Sequence, residues 1–437
     1  MRSFLQSSFS VVLLTFIFGL TVFNTCQINS LEQQLLDGRF VSNEAPSGEP
    51  QPKSSQAALS AALKNPDNLL RAPLRPLNDD PAIAQGGHLR LQAGQEPMGF
   101  NPYIANGADA AEFARYVNNM LCQRDVDDPG RLTPDLALEI TTPDEGLTYD
   151  IRLREGVQWH APAVDWNDAR YNWLRGEHEL TSDDFIFVFD MMANPQVTGR
   201  ISAQRNYFDM EKVEATGRYS FRVRFKERLF TNLPNLCTMH PSPRWLMMYD
   251  ENGKRFDAAN WGVRVSEHWY NNKGIGTGPY RFVEWQPGSA IRFEANPSYY
   301  GEPPAFERIT VKLVKDQNAW TRMLKTGELD MTRIQPEQYR TEILEAKGPI
   351  LGQSRIAKGR RDELGYFYVA WNADTPYFDT KEARQAMTLA LDRDGIVKNV
   401  FYGLGDVIHG PFPMQNPCYD RSIVGWPYDL ELARQKL

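Results

Sequence analysis

Residues 148–154 read Thr-Tyr-Asp-Ile-Arg-Leu-Arg, with Tyr149, Ile151 and Leu153 alternating against Asp150, Arg152 and Arg154. Successive side chains of an extended chain point to opposite faces, so strict alternation commits the segment to a strand buried on one side only. Residues 219–226 repeat the pattern, Tyr219, Phe221, Val223 and Phe225 against Ser220, Arg222, Arg224 and Lys226. Residues 88–92 and the Ile309, Val311, Leu313 series read as further strands. Residues 280–285 and 290–295 flank Pro287-Gly288 and read as a hairpin.

Helices alternate with these strands. Thr181 stands before Ser182-Asp183-Asp184 and the apolar run Phe185-Ile-Phe-Val-Phe. That order predicts an N-cap followed by carboxylates facing the unpaired amides and positive dipole of a first turn. Asp379-Thr380 opens a second helix with the stripe Ala383, Ala386, Met387, Ala390 and Leu391. Asp392 caps a third over residues 393–402, stopped by Gly403, and residues 317–326 form another that ends at Gly327. Asp429 caps a last helix, which the sequence leaves in mid-run at Leu437. The class is α/β, without an internal repeat.

The amino end differs. One Arg precedes a run of apolar residues at 9–23, which reads as an export signal, an uncleaved anchor or, through Cys26, a lipidation site. From residue 27 to 85 the chain turns rich in Pro, Ser, Gly and Glu, a composition that reads as a disordered tether. The domain plan is therefore 1–26 signal or anchor, 27–85 tether, and a globular body from 86.

Composition removes several function classes. The 48 Lys and Arg against 55 Asp and Glu leave a net charge of −7, with no basic patch for nucleic acid. A mean hydropathy of −0.50 excludes a multi-span membrane protein. The four cysteines are scattered, with no C-x-x-C pair, and allow one or two bridges at most. The six histidines show no metal-ligand spacing and read as surface or satisfied core residues. Asp183-Asp184 cannot act as a dyad, because adjacent residues on a helix diverge. No G-x-S-x-G elbow occurs, so no catalytic group is expected. Two features stay open. Gly274–Tyr280 reads either as a turn or as a place where bare backbone approaches a ligand, and residues 365–372 (Gly-Tyr-Phe-Tyr-Val-Ala-Trp-Asn) as a core strand or a binding wall.

Taken together, six stretches resemble the family 5 solute-binding proteins, the oligopeptide- and dipeptide-binding group that serves peptide-type ABC transporters. In chain order they are LTPDLALEI after Asn101-Pro102, YDIRLREGVQWH, LTSDDFIFVFDMM, GTGPYRFVEWQPGSAIRFEANPSYYG, LKTGELDM and VAWNADTPYFDTKEARQAMTLALDRDGIV. An insertion of about a dozen residues, within HAPAVDWNDARYNWLRGEHE, departs from the family pattern. The resemblance implies the two-lobed periplasmic-binding-protein fold, type II. Lobe I spans 86–312 with an extra subdomain at 125–235, and lobe II starts at 313 and is incomplete at 437. On that expectation, residues 1–437 alone would not make a competent binding protein.

The same resemblance implies a ligand cleft between lobes that close on it. Carried over residue by residue, its lining is Asn106, Gly107 and Ala108 in a loop, Tyr207 and Phe208 as an aromatic contact, Thr277 and Gly278 in the glycine turn, and Trp371 and Asn372 at a lobe II strand end. The implied function is capture of peptides or similar extended solutes and delivery to an ABC transporter permease in the inner membrane. It comes without catalysis, cofactor, metal or nucleic acid, from a monomer held at the extracytoplasmic face in the periplasm. The rival reading is a sensor of oligosaccharide or another solute that acts with a membrane receptor; an exported enzyme is the third, without residues to support it.

Overall fold

In the computed structural model the described residues are 70–71, 86–105, 108–124, 132–198, 209–344, 365–414, 416 and 419–437. The expectations for residues 1–26, including Cys26, and for nearly all of 27–85 lie outside them.

The alternating segments build two sheets. In the first, His88–Ala93 (β2) runs parallel to Arg308–Leu313 (β11), with Leu89 beside Ile309 and Leu91 beside Val311. Beyond β11 the sheet continues antiparallel through Ala290–Ala295 (β10) to Tyr280–Gln286 (β9). The β9–β10 connection is the expected hairpin, and its turn residue Gly288 has φ 69°. The helix Ala108–Val117 (α1) packs on this sheet through Phe113, Tyr116 and Val117, all buried. The sequence reading did not predict this helix, although its Ala-, Glu- and Arg-rich run favours one.

Ala137–Thr141 (β5), Thr148–Leu153 (β6), Ser220–Phe225 (β8) and Met210–Gly217 (β7) form an antiparallel sheet in that order. At its edge Leu70–Arg71 (β1) pairs with Ile140 and Glu139. Two residues of the segment read as a disordered tether are thus strand, because β5 offers them an open edge to pair with. Tyr149, Ile151, Leu153, Phe221, Val223 and Phe225 are buried, as the alternation requires. Ser182–Ala193 (α2) covers that face, with Phe185 stacked 5.0 Å from Phe221. On the other face Arg222 meets Asp150 at 2.7 Å and Arg224 meets Glu211 at 2.9 Å. Cys122–Arg124 (β3) and Leu132–Pro134 (β4) make a small two-stranded ribbon beside it.

The chain divides into two compact units, with the boundary between Gln317 and Asn318. The described residues of the second unit are helical and irregular. Gln317–Lys325 (α3) straddles the boundary, followed by Lys381–Leu389 (α4), Arg393–Asn399 (α5) and Leu430–Lys436 (α6). Three caps fall where the sequence places them: Thr380 accepts from Ala383 N at 3.2 Å, Asp392 from Gly395 N at 2.8 Å and Asp429 from Leu432 N at 2.9 Å. α5 ends three residues earlier than expected, and Gly403 N closes its end on the Val397 carbonyl at 2.9 Å. α4 and α6 pack together, joined by Asp429 N on the Leu389 carbonyl at 2.9 Å. Residues 365–372 are irregular, which corrects the expected strand: an extended segment needs a hydrogen-bonded neighbour, and none pairs with it among the described residues.

Candidate functional site

The glycine turn folds back on the end of α1. A Cβ on Gly276 would lie 1.8 Å from the Val117 carbonyl oxygen, and one on Gly278 would lie 2.8 Å from it. No real Cβ tolerates such distances, so these positions accept only glycine if the turn is to stay in place. Gly278 N donates to the Val117 carbonyl at 2.9 Å. Its own carbonyl accepts from Asn296 Nδ2 at 3.0 Å and from the His160 ring at 2.9 Å. Thr277 is 1% exposed, with its hydroxyl 3.3 Å from Asn119 Oδ1. The segment is a turn, and its glycines serve close packing against the end of α1, which neither reading foresaw. The polar groups of Thr277 and Gly278 are engaged inside the first unit.

Around the turn lies a buried polar network. His160 donates through Nε2 to the Gly278 carbonyl, and burial pulls its pKa down from 6.5 to about 4, so the ring is neutral. Asn119 donates to Asp135 Oδ2 at 2.9 Å, and the Tyr300 hydroxyl donates to the other oxygen. Arg154 Nε donates to the Asp135 carbonyl at 2.6 Å, with its guanidinium 5.8 Å from the Tyr300 ring centre. Burial pushes both the Asp135 carboxyl and the Tyr300 phenol up, which keeps the phenol a donor. Pro134-Asp135-Leu136-Ala137 from one stretch of the family resemblance meets both ends of another, Gly276–Tyr280 and Asn296–Tyr300. The sequence reading missed them as one network. Their shared membership in the motif set was the available signal.

Beside the network, Asn101, Tyr103, Asn118, Ser242, Tyr270 and Lys273 line a shallow pocket. Asn101 shapes the turn leading to α1: its Oδ1 accepts from Tyr103 N at 3.0 Å, and its Nδ2 donates to Asn271 Oδ1 at 3.0 Å. Ala108 is the first residue of α1 rather than part of a loop. Asn106 and Gly107, and likewise Tyr207 and Phe208, lie outside the described residues. Burial lowers the pKa of Lys273, whose ammonium donates to the Ala163 carbonyl at 2.8 Å and sits 5.6 Å from the Tyr270 ring centre. Ala163 belongs to the inserted stretch. Its amide donates to the Tyr270 hydroxyl at 2.7 Å, while Tyr171 stacks on Trp269 at 5.7 Å. The insertion is therefore an aromatic strap laid on the first unit, its ends joined by the Gln158–Glu179 bridge.

In the second unit, Trp371 is half-buried with its ring 5.3 Å from Phe378. Asn372 is exposed; its Oδ1 accepts from Asp374 N at 3.0 Å and its carbonyl from the Thr375 hydroxyl at 2.8 Å. Both residues thus lead into a tight turn and not to a strand end. No group of His, Cys, Asp and Glu among the described residues is arranged to hold a metal ion.

Comparison with known proteins settles the family. Residues 131–437 match the model of bacterial extracellular solute-binding proteins, family 5 (middle). The chain belongs to this family. It is 28% identical over 359 residues to the oligopeptide-binding protein AppA of Bacillus subtilis, covering 81% of this chain and 59% of that protein. It is 25% identical over 312 residues to a probable di/tripeptide-binding protein of Pseudomonas aeruginosa, covering 70% of this chain and 56% of that one. The structure of Bacillus subtilis AppA with a nonapeptide aligns at a TM-score of 0.64 and 25% identity, over 81% of this chain and 64% of that one. The chain thus spans a little under two thirds of these relatives. Their fold is the two-lobed periplasmic-binding-protein fold, and the mixed α/β architecture here is consistent with it. Family 5 members are binding proteins of the extracytoplasmic space, not enzymes.

Proposed function

We propose that this protein captures peptides or similar extended solutes between its two lobes and hands them to an ABC transporter permease. The observation that carries the reading is the alignment with the peptide-loaded AppA structure over four fifths of this chain. On this reading the network around Gly278 is scaffold. It fixes the C-terminal end of α1, while the Asn101 turn, held by Asn271, leads toward residues 106–108, which face the solute on this reading. Tyr207 and Phe208 add an aromatic contact on lobe I, and Trp371 and Asn372 supply the lobe II side. Lobe I acts as a rigid platform around this network, since the Gly278 carbonyl and both Asp135 carboxylate oxygens are already paired and need no reorganisation on binding.

The N-terminal segment would hold the protein at the outer face of the inner membrane, as an uncleaved anchor or through a lipid on Cys26. Among the described residues no helix is long and apolar enough to cross a membrane. The deciding experiment is native mass spectrometry of the full-length protein from its own host, followed by titration calorimetry with whatever is released. Co-purifying peptides that rebind support the reading. A sugar or metal chelate that rebinds while peptides do not would overturn it.

A further inference from the structure

Two of the four cysteines, 115 or so positions apart in sequence, meet in the core. Cys122 is the first residue of β3, and Cys237 is the last residue of the short helix Asn232–Cys237. They are 2% and 0% exposed and belong to one hydrophobic cluster. Both are free cysteines, and the neighbouring Cys237, with burial, pushes the Cys122 thiol up. Next to them the backbone is joined as well, Leu121 N donating to the Met239 carbonyl at 3.1 Å. The described elements between the pair include β3 to β8 and the covering helix α2. The two cysteines therefore stand at the start and the end of the stretch that builds this antiparallel sheet, inside the first unit.

We propose that Cys122 and Cys237 form a disulfide that staples the two ends of this stretch. Paired thiols persist reduced in a reducing compartment, but members of this family work outside the cytoplasm, where adjacent thiols oxidise. The chemistry is thiol–disulfide exchange. One cysteine thiolate attacks an external disulfide, a thiol is released, and the second cysteine displaces the other thiol from the mixed disulfide. Two protein thiols lose their protons and two electrons, and the external disulfide becomes two thiols. In the folded, reduced protein the neighbouring Cys237, with burial, holds the Cys122 thiol above its ordinary pKa. Thiolate is then scarce and no oxidant reaches the core, so the bond forms during folding, before the cluster closes.

The test is refolding of the full chain from the reduced, denatured state in a mostly oxidised glutathione buffer. The product is treated with N-ethylmaleimide in denaturant without reductant and digested with trypsin. Expected is one linked species containing peptides 116–124 and 229–244, lighter by two hydrogens than the pair and separated by reductant. Maleimide on both peptides, or either one linked to Cys26 or Cys418, would overturn the proposal. A second reading compares stability. The protein refolded in reductant is expected to melt ~5–15 °C below the oxidised form, since a bridge closing so long a loop restricts the unfolded chain strongly. Equal melting temperatures would overturn the role as a staple. Both arms use the wild-type chain, so neither depends on a variant that folds.

Discussion

His160 and Gly276 hold the same turn in place, the His160 amide donating to the Gly276 carbonyl at 2.8 Å. His160 is buried neutral, with a pKa near 4, and His268 is likewise lowered to about 4 by burial. The unfolded ring takes a proton near pH 6.5, so stability is fully present above that value and falls as pH drops from 6.5 toward 4. Each ring accounts for about 3 kcal/mol over that window. Asp184 acts in the other direction: burial raises its pKa to about 6, so its stabilising effect is present in acid and lost as pH rises through 6. The lowered histidines His160, His178, His240 and His268 outnumber the raised carboxyls Asp135, Asp184 and Asp190, and net acid destabilisation is expected. His160→Gln, which keeps a donor for the Gly278 carbonyl, is expected to flatten the decline; denaturation midpoints at pH 7 and 4.5 read it, and identical slopes for both proteins would refute it. Gly276→Ala forces a methyl into the Val117 carbonyl, with an expected cost of about 2–4 kcal/mol. Gly288→Ala meets open space and carries only the penalty of a positive φ, about 1 kcal/mol. Equal melting shifts for the two would remove the steric argument. None of this was legible in the string GIGTGPY, because what the glycines touch lies on α1, more than a hundred residues earlier.

Elements were legible where the information is local. The period-two segments became β6 and β8, and Thr380, Asp392 and Asp429 cap α4, α5 and α6, because alternation and capping depend on residues within one turn or one strand. Pairing is not local, and that is where the reading failed. Residues 365–372 have the aromatic composition of a strand and remain irregular, while Leu70–Arg71, in a tract of loop-like composition, joins a sheet. Helix α2 offers a test of how local signals connect to distant ones. Asp184 accepts from Thr181 N at 3.0 Å, from Arg244 N at 3.1 Å and from Trp159 Nε1 at 3.3 Å. It thereby ties the start of α2 to Trp159, next to the Gln158–Glu179 bridge, and to the short helix Arg244–Met247. Asp184→Ala leaves three donors without an acceptor, and a loss of about 3 kcal/mol is expected. Its neighbour Asp183 is exposed, and Asp183→Ala is expected to stay within about 0.5 kcal/mol. Guanidinium or urea melts of both variants decide the matter. A comparable loss for Asp183→Ala would mean that the two carboxylates act as a pair after all.

At the scale of the molecule the two units differ in how they are held together. Among the described residues, the first carries nearly all the fully buried hydrophobic side chains. The second buries Ala319, Trp320, Leu329, Ala386, Leu389 and Ala433, and exposes large apolar groups such as Tyr368 at 75% and Val424 at 91%. Units with such unequal cores have unequal intrinsic stabilities, and nothing requires them to unfold together. A solute that contacts both lobes changes this, because its binding free energy is lost when either lobe unfolds. Differential scanning calorimetry of the full-length protein is therefore expected to show two transitions without ligand, the weaker one belonging to residues 318–437. Saturation with the co-purified solute is expected to raise the weaker transition and merge it with the stronger. Trp371→Ala is expected to weaken solute affinity while leaving the solute-free transitions nearly in place, since the ring is half-buried and packs mainly on Phe378. A solute bound by lobe I alone gives a different trace. It stabilises the first unit, leaves the second transition where it was, and cannot drive closure, because its affinity does not distinguish open from closed. That second trace would refute capture between the lobes and leave a one-lobed receptor.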